Sequence, residues 1–258
     1  MTGSDLLGIA IIAILAIGAV ASKWVPRPAP PTGVPTDAVA PSDKLASVIF
    51  TYNATKPYFA ISDSWSVPAK GVIIHKITQA QANEISTAVQ AAATKYGLPL
   101  TYALACLAVE SVLDPNCVNG NLGPGESNTA NDPLGYDDGI AQLKLRYLVG
   151  AAPGVTDSAS AYLFAKDVNR AAPYFCSLMA GHFAAAKEIL AKDTSSAPDV
   201  RLRNPWVYAT GSYNFGETGM AKVFASGEYP SHCTSVVSDE QYFAAKLGLP
   251  SIFADLPK

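Results

Sequence analysis

Residues 100–116 read LTYALACLAVESVLDPN, and this stretch decides both the fold and the candidate chemistry. Leu100, Leu104 and Leu107 recur at helical spacing in an almost wholly apolar run, which predicts a buried helix. Glu110 ends that run. A carboxyl held against apolar side chains keeps its proton to a higher pH, because desolvation penalises the charged form. Glu110 is therefore a candidate general acid, and a surface glutamate at a helix end is the alternative.

The chain beyond residue 78 shows a helical pattern almost throughout. Thr78, followed three residues later by Gln81, predicts a capping box at the start of a helix that runs to about residue 95. Gly97 ends this helix, and Pro99 suits the first turn of the next one. Further helices are predicted at 140–149, 158–168, 170–192, 204–214, 217–226 and 239–247. The predicted fold class is mainly α, with a long loop over 113–138 that is dense in Asn, Gly, Asp and Pro.

The N-terminal residues 6–22, LLGIAIIAILAIGAVAS, form an uncharged run between Asp5 and Lys23. As a helix this run is roughly 25 Å long, which is the short end of the range for a membrane span. A cleaved signal peptide is the alternative, because the AVA near its end is a small-residue cleavage pattern. The residues before the run, however, lack Lys and Arg. We therefore predict a single transmembrane anchor over residues 1–24 that contacts lipid through 6–22.

Two further segments precede the helical part of the chain. Residues 25–44 are rich in Pro, Ala and other small residues, which predicts an extended, semi-rigid linker. Residues 45–77 mix β-favouring pieces (SVIFTY, YFAI and GVIIH) with turn residues. This mixture predicts a small extension with short strands or irregular structure. Residues 78–258 then form the main domain.

Composition disfavours several classes of function. The 258 residues carry a formal net charge of −3 and no dense run of Lys or Arg, which disfavours nucleic acid as a partner. No Cys-x-x-Cys spacing and no cluster of histidines is present in the sequence, so neither a metal nor a cofactor is predicted. Four cysteines leave two alternatives open, disulfides in an oxidising compartment or buried free thiols. They are Cys106, Cys117, Cys176 and Cys233.

Four short motifs follow one another between residues 110 and 216. They are Glu110-Ser111 in AVESVLDPN, GIAQL at 139–143, DVN at 167–169 and SYNFG at 212–216. In this order the motifs resemble those of the soluble-type lytic transglycosylases, lysozyme-like enzymes of peptidoglycan turnover. The resemblance covers roughly residues 80–232, and it implies a lysozyme-like (α+β) catalytic domain.

The resemblance implies a single catalytic carboxyl. Glu110 would protonate the oxygen that joins N-acetylmuramic acid to N-acetylglucosamine in a peptidoglycan glycan strand. It would then take the proton of the muramic acid C6 hydroxyl as that oxygen closes on C1, which leaves a 1,6-anhydro sugar without the entry of water. One carboxyl serves both steps, because the acid left as a carboxylate becomes the base.

The resemblance also implies substrate-binding residues. Ser111 and Gln142 would hydrogen-bond the sugar or the catalytic carboxyl. The Tyr213 hydroxyl would lie near Glu110, and Asn214 would hold the loop or the acetamido group of the substrate. Plain packing or capping is the alternative for Gln142, Tyr213 and Asn214.

The sequence departs from the family pattern in places. Ala141 stands in place of a Met, Ser212 in place of an Ala, and Phe215 is bulkier than the usual small residue. These changes affect the fit of the substrate more than the chemistry. Asp167 and Asn169 suit helix N-caps, so we expect them to act in structure.

A goose-type lysozyme is the nearest alternative, because it shares the fold and the glutamate but breaks the bond with water. It needs a second carboxylate, for which Asp137 and Asp138 are the candidates. Lys144 stands where goose-type enzymes often carry an aspartate, which favours the transglycosylase. A non-catalytic glycan-binding structural component of a virion or secretion machine is the other alternative.

The expected location depends on the anchor. The positive charges lie after the span, at Lys23 and Arg27, and a negative charge lies before it, at Asp5. By the positive-inside rule this distribution would leave the domain on the cytoplasmic face. A phage virion carries such a domain outward, so we favour a virion membrane protein for local penetration of the cell wall. The alternative is a bacterial inner-membrane protein with its domain in the periplasm. Besides glycan strands and lipid, the predicted partners are virion or secretion-machine proteins.

Overall fold

A computed structural model describes residues 42–56, 72–119, 137–193 and 199–256 of the chain. These residues are mainly helical, so the prediction of a mainly α fold is confirmed. No helix within the described ranges is both long and apolar enough for a membrane span. The predicted anchor and nearly all of the predicted linker lie outside the described residues.

The helices are α1 (Ser42–Thr55), α2 (Gln79–Tyr96), α3 (Leu100–Ser111), α4 (Leu145–Leu148), α5 (Ser158–Lys166), α6 (Val168–Lys192), α7 (Pro205–Ser226) and α8 (Ser231–Leu247). A 3₁₀ turn, Val200–Arg203, precedes α7. Short strands form an antiparallel sheet in the order β1 (Val72–Ile73), β2 (Val118–Asn119), β3 (Asp137–Asp138) and β4 (Leu143–Lys144). The register pairs Ile73 with Val118, Val118 with Asp138, and Asp138 with Leu143.

Helix α3 is central to the fold because it is apolar on nearly all sides. Tyr102, Leu104 and Leu107 have no solvent exposure. A helix that is hydrophobic all round belongs in a core rather than at a surface. Helices α2 and α8 pack against it. The prediction of a buried helix with Glu110 near its end is therefore confirmed.

Helix α2 begins with the predicted capping box. The Thr78 side chain accepts a hydrogen bond from the Gln81 backbone amide at 3.2 Å. The Gln81 side chain in turn accepts one from the Thr78 backbone amide at 2.9 Å. These bonds satisfy amide groups that the start of a helix leaves without partners. Gly97 then ends the helix in the left-handed conformation, at φ 66°.

Residues 42–55 form helix α1, whereas the sequence predicted a linker up to residue 44 and short strands or irregular structure beyond it. Leu45, Ile49 and Tyr52 are spaced for one face of a helix, and that face is buried in the main core. The β propensity of SVIFTY is a local preference, which burial against α2 and α8 overrides. Helix α1 therefore packs into the same core as the helices beyond residue 78.

The predicted helix at 140–149 is wrong for its first half. Residues 139–142 form the turn of the β3–β4 hairpin, and α4 covers only Leu145–Leu148. Gly139 and Gln142 have φ values of 76° and 47°. Positive φ values are incompatible with a continuous right-handed helix, so the chain turns here instead.

The later helices are largely as predicted, with shifts at their ends. The predicted helices at 204–214 and 217–226 belong to α7, which is interrupted at Gly216, where φ is 70° and ψ is 166°. Helix α8 begins at Ser231 rather than at 239.

Helix α6 begins with one of the two predicted caps. The Asp167 side chain accepts a hydrogen bond from the Asn169 amide at 3.0 Å. Asn169 is not a cap, because it lies within the first turn and its side chain donates to the Glu84 carboxylate at 2.8 Å. The prediction of a structural role therefore holds for both residues, and the prediction of a cap holds only for Asp167.

The four cysteines, all in the described part of the chain, are buried free thiols. Burial raises the pKa of each thiol, to about 12 for Cys176 and Cys233. A thiol of high pKa is a poor nucleophile, because the thiolate is the reactive form. The cysteines therefore act as small apolar residues of the core.

Candidate active site

Glu110 lies near the end of α3, with its carboxyl at the edge of the core. Its side chain is 16% exposed, so the carboxyl is largely but not fully enclosed. Burial first, and then the negative charge of Asp137, raise the pKa of Glu110 from 4.5 to about 8. Both effects penalise the carboxylate. The group therefore keeps its proton at neutral pH, as a general acid must.

The hairpin turn at 139–142 is packed tightly against α5. Gly139 has φ 76°, and a Cβ at this position would overlap the Ala165 carbonyl oxygen. Only glycine fits both constraints. The Gly139 amide donates to the Cys117 carbonyl at 2.8 Å, which joins the turn to the segment before β2. The GIAQL motif therefore encodes a positioned turn.

Ser111 joins α3 to this turn. Its hydroxyl donates to the Ile140 carbonyl at 2.7 Å and also lies 3.1 Å from the Leu107 carbonyl oxygen. The side chain has no solvent exposure. The resemblance implies a hydrogen bond from Ser111 to the sugar or the catalytic carboxyl, whereas the contacts of its hydroxyl in the structure are with backbone carbonyls. Ser111 positions α3 against the turn and does not face the solvent.

Tyr213 fixes the same turn from helix α7. Its hydroxyl donates to the Ala141 carbonyl at 2.7 Å, and its ring packs edge-on against Phe175 with centroids 5.2 Å apart. Burial first, and then the negative charge of Glu110, raise the pKa of the phenol well above its usual value. Tyr213 is thus electrostatically coupled to Glu110, while its hydroxyl is engaged by the turn.

Gln142 ends the turn, and its side chain folds back on the backbone. Its Nε2 donates to the carbonyls of Gly139 at 3.0 Å and Cys117 at 3.3 Å. Its Oε1 is buried, and no residue in the described ranges donates to it. A buried acceptor without a donor is costly, and this oxygen is an unsatisfied acceptor within the described residues.

Asn214 is a predicted site residue whose side chain forms no hydrogen bond with the other predicted site residues in the described ranges. It lies exposed on α7, two residues before the interruption at Gly216. Phe215 beside it is also exposed, at 41%. The described contacts do not join Asn214 to Glu110.

The two aspartates of β3 have different surroundings. Asp138 has no solvent exposure, and the Lys166 ammonium lies 3.8 Å from its carboxylate. Burial raises the pKa of Asp138 to about 6, and Lys166 opposes that shift. Asp137 is half-buried, and its charge acts on Glu110. Of the two candidate second carboxylates, Asp137 is therefore the one whose charge raises the pKa of Glu110.

His232 is a neighbour of Glu110 that sequence reasoning missed. Its Nε2 lies 3.6 Å from Glu110 Oε1, and its side chain is 17% exposed. Burial lowers the pKa of His232 below 6.5, so the imidazole is neutral at neutral pH. A lone histidine far along the chain carries no motif. Only the packing of α8 against α3 brings it to the carboxyl.

The backbone directly after α3 is strained and is braced by α1. Val112 has φ 57°, a conformation that costs a non-glycine residue roughly 1–2 kcal/mol. The Asn53 side chain donates to the Val112 carbonyl at 3.0 Å. It also donates to the His75 carbonyl at 3.3 Å and accepts from the Ile77 amide at 3.1 Å. Helix α1 therefore holds the turn that follows Glu110.

The arrangement is suited to proton transfer. A single protonated carboxyl at a partly open position can donate a proton and later take one back. A nearby aspartate raises its affinity for that proton, and a neutral imidazole lies 3.6 Å away. The adjacent Ser111 ties this end of α3 to the 139–142 turn. The chain gave no significant match to any protein-family model, curated protein or solved structure.

Proposed function

We propose that the protein is a peptidoglycan lytic transglycosylase with a lysozyme-like catalytic domain, in which Glu110 is the single catalytic residue. The main support for the proposal is the protonation state of Glu110, because its largely buried carboxyl keeps its proton at neutral pH. The contacts of Ser111 and Tyr213 with the 139–142 turn support it, because they join three of the four sequence motifs in one arrangement.

The reaction needs one proton donor that becomes a proton acceptor. Glu110 donates its proton to the glycosidic oxygen as the bond from that oxygen to C1 of N-acetylmuramic acid breaks. The C6 hydroxyl oxygen of the same sugar then bonds to C1, and its proton returns to the Glu110 carboxylate. The acetamido group of the substrate shields the cationic intermediate, as in substrate-assisted glycosidases. The enzyme ends in its starting protonation state, and water takes no part.

Hydrolysis by a lysozyme of the goose type is the second candidate function. The observation that favours it is the effect of Asp137 on the pKa of Glu110, because a nearby carboxylate is what activates water in such enzymes. Asp138 is the weaker candidate for this role, since it is fully buried opposite Lys166.

We further propose that residues 6–22 anchor the protein in a membrane with a single span. The favoured setting is the membrane of a phage virion, where the enzyme opens the cell wall locally. The alternative setting is the bacterial inner membrane with the domain in the periplasm. Virion or secretion-machine proteins are the proposed protein partners in these settings.

Substitution of Glu110 by Gln tests the catalytic assignment, with the exposed Glu188→Gln as the matched control. Both variants and the native chain are incubated with purified peptidoglycan, and soluble glycan products are measured. We expect Glu110→Gln to lose cleavage by at least about 10²-fold, since general acid catalysis contributes 10²–10⁴-fold, and Glu188→Gln to keep it. If the native chain binds peptidoglycan but releases no product, the protein is a glycan-binding component instead.

A further inference from the structure

His232 lies in the first turn of α8, close to the carboxyl of Glu110. The helix begins at Ser231, after Pro230, and it packs against α3. This packing brings His232 Nε2 to 3.6 Å from Glu110 Oε1. Both side chains are more than four-fifths buried, so little solvent screens one from the other.

The location of His232 favours its neutral form. A position in the first turn places the imidazole near the positive end of the helix dipole, which disfavours a second positive charge. Burial acts in the same direction and lowers the pKa of His232. A neutral imidazole with its proton on Nε2 can donate a hydrogen bond to a carboxylate but does not neutralise it.

We propose that His232 is a positioning residue for Glu110, which orients the carboxyl and donates a hydrogen bond to the carboxylate formed after proton transfer. The inference rests on the proposed function of Glu110 and adds a second residue to its site. The distance of 3.6 Å is longer than a hydrogen bond. Catalytic hydrogen bonds often tighten only when charge develops, so the contact shortens as Glu110 becomes a carboxylate.

The groups that face Glu110 come from several elements. Asp137 of β3 carries negative charge and raises the pKa of Glu110. Tyr213 of α7 is neutral, and its hydroxyl is engaged by the Ala141 carbonyl. Cys106, on α3 itself, is a neutral thiol whose pKa is raised by burial first and also by the Glu110 charge. Among these described neighbours, His232 alone can gain a positive charge.

This difference predicts that activity falls on both sides of a pH optimum. We call the fall at low pH the acid limb and the fall at high pH the alkaline limb. Above the pKa of Glu110, about 8, the carboxyl has no proton to donate and activity falls. At acid pH, His232 takes up a proton, and the imidazolium then stabilises the Glu110 carboxylate. Glu110 keeps its own proton at this pH, but the carboxylate left after it protonates the glycosidic oxygen is then held as an ion pair. That carboxylate is a weaker base toward the C6 hydroxyl, so activity falls again. The acid limb belongs to His232 and the alkaline limb to Glu110.

The test compares kcat/KM for peptidoglycan cleavage across pH in the full-length native chain, His232→Gln and His232→Leu. His232→Gln keeps a hydrogen-bond donor but cannot titrate, so we expect it to lose the acid limb and keep the alkaline limb. His232→Leu keeps neither property, and we expect kcat to fall by about 10–100-fold with little change in KM. His182→Gln, which removes an imidazole edge-on to Tyr213, is the matched control and should keep both limbs.

Retention of the acid limb in His232→Gln would overturn the inference. That result does not depend on how well His232→Leu folds, because the position of a limb is read from the active enzyme alone. Thermal unfolding of each variant checks that the fold is kept. Absence of cleavage by the native chain at every pH is a different outcome, which contradicts the proposed function itself and the inference with it.

Discussion

Glu110 keeps its proton in the folded protein at pH values where the unfolded chain has released it. The pKa is about 8 in the folded protein and 4.5 in an unperturbed glutamic acid. Between these values the folded state binds more protons than the unfolded state, so the free energy of unfolding falls as pH rises. Below the lower value both states hold the proton, and above the higher value both have lost it.

Glu110→Gln should remove this loss of stability. We expect the variant to exceed the native chain in free energy of unfolding by about 2–5 kcal/mol near pH 9, because one pKa unit is worth about 1.4 kcal/mol. Near pH 4 the native carboxyl is neutral like the amide, so the difference should be small. Urea unfolding at both pH values measures it. A difference of equal size at the two pH values would show that the Glu110 pKa is not raised.

Asp137→Asn should move the alkaline limb of activity to lower pH. The substitution removes the charge that acts together with burial on Glu110, so the carboxylate becomes less costly. For a single-carboxyl transglycosylase we expect the maximal rate to stay within about tenfold, since Asp137 takes no part in proton transfer.

The outcome of Asp137→Asn also separates the two candidate functions. A hydrolase that uses Asp137 as its base would lose at least about 10²-fold in rate. The exposed Asp255→Asn is the control and should change neither the limb nor the rate.

The 139–142 turn is the element that joins the motifs, and two glycines allow a matched test of its packing. Gly139 and Gly150 have nearly equal φ values of 76° and 73°. A Cβ at Gly139 would overlap the Ala165 carbonyl, whereas a Cβ at Gly150 has nothing within 4 Å. Gly150→Ala should therefore cost about 1–2 kcal/mol for the backbone conformation alone.

Gly139→Ala should cost about 2 kcal/mol more than Gly150→Ala, because either the turn or α5 has to shift. The shift moves the Ile140 and Ala141 carbonyls, to which Ser111 and Tyr213 donate. We therefore also expect reduced glycan cleavage in Gly139→Ala only. Urea unfolding and a cleavage assay measure the two effects, and equal losses in both variants would contradict the packed turn.

The order of the motifs indicated which elements meet, but not what each side chain does there. Ser111 and Tyr213 donate to carbonyls of the 139–142 turn, and Gln142 is part of that turn. Their partners are backbone carbonyls, and the positions of those carbonyls depend on the φ values of the turn. A pattern of residue types does not encode those positions, so the contacts of Ser111 with the Leu107 and Ile140 carbonyls could not be predicted from the sequence.

The strand prediction for α1 and the omission of His232 have a common cause. Each depends on a contact between residues far apart in the sequence. The face of α1 is helical in period, but the run SVIFTY favours a strand until α2 and α8 cover it. His232 comes close to Glu110 only because α8 lies against α3. Local patterns therefore predicted the helices and the catalytic candidate, and missed what tertiary packing adds.

Helix α8 connects the distant parts of the molecule to the site. The Tyr52 hydroxyl of α1 donates to the Asp239 carboxylate at 2.6 Å, and the Lys44 ammonium donates to the Leu247 carbonyl at 2.7 Å. The buried Glu240 accepts from the Thr101 hydroxyl at 2.7 Å. Because α8 also carries His232, a loss of packing at α1 should reach Glu110.

Ile49→Ala tests whether α1 belongs to the main core. Ile49 has no solvent exposure, whereas its neighbour Phe50 is 37% exposed. We expect Ile49→Ala to lower the free energy of unfolding by about 2–5 kcal/mol, because it leaves a cavity among α1, α2 and α8. Phe50→Ala should cost under about 1 kcal/mol. A single urea transition is expected for both, and a separate early transition would show that α1 folds apart from the core.

The mass of the cleavage products in heavy-oxygen water tests the single-carboxyl mechanism most directly. Purified peptidoglycan is digested with the full-length chain in that solvent, and the glycan ends are identified by mass spectrometry. We expect ends lighter by one water than hydrolytic ends and without the heavy oxygen, because the C6 oxygen of the sugar closes on C1. Reducing ends that carry the heavy oxygen would contradict the mechanism, since they require water as the nucleophile.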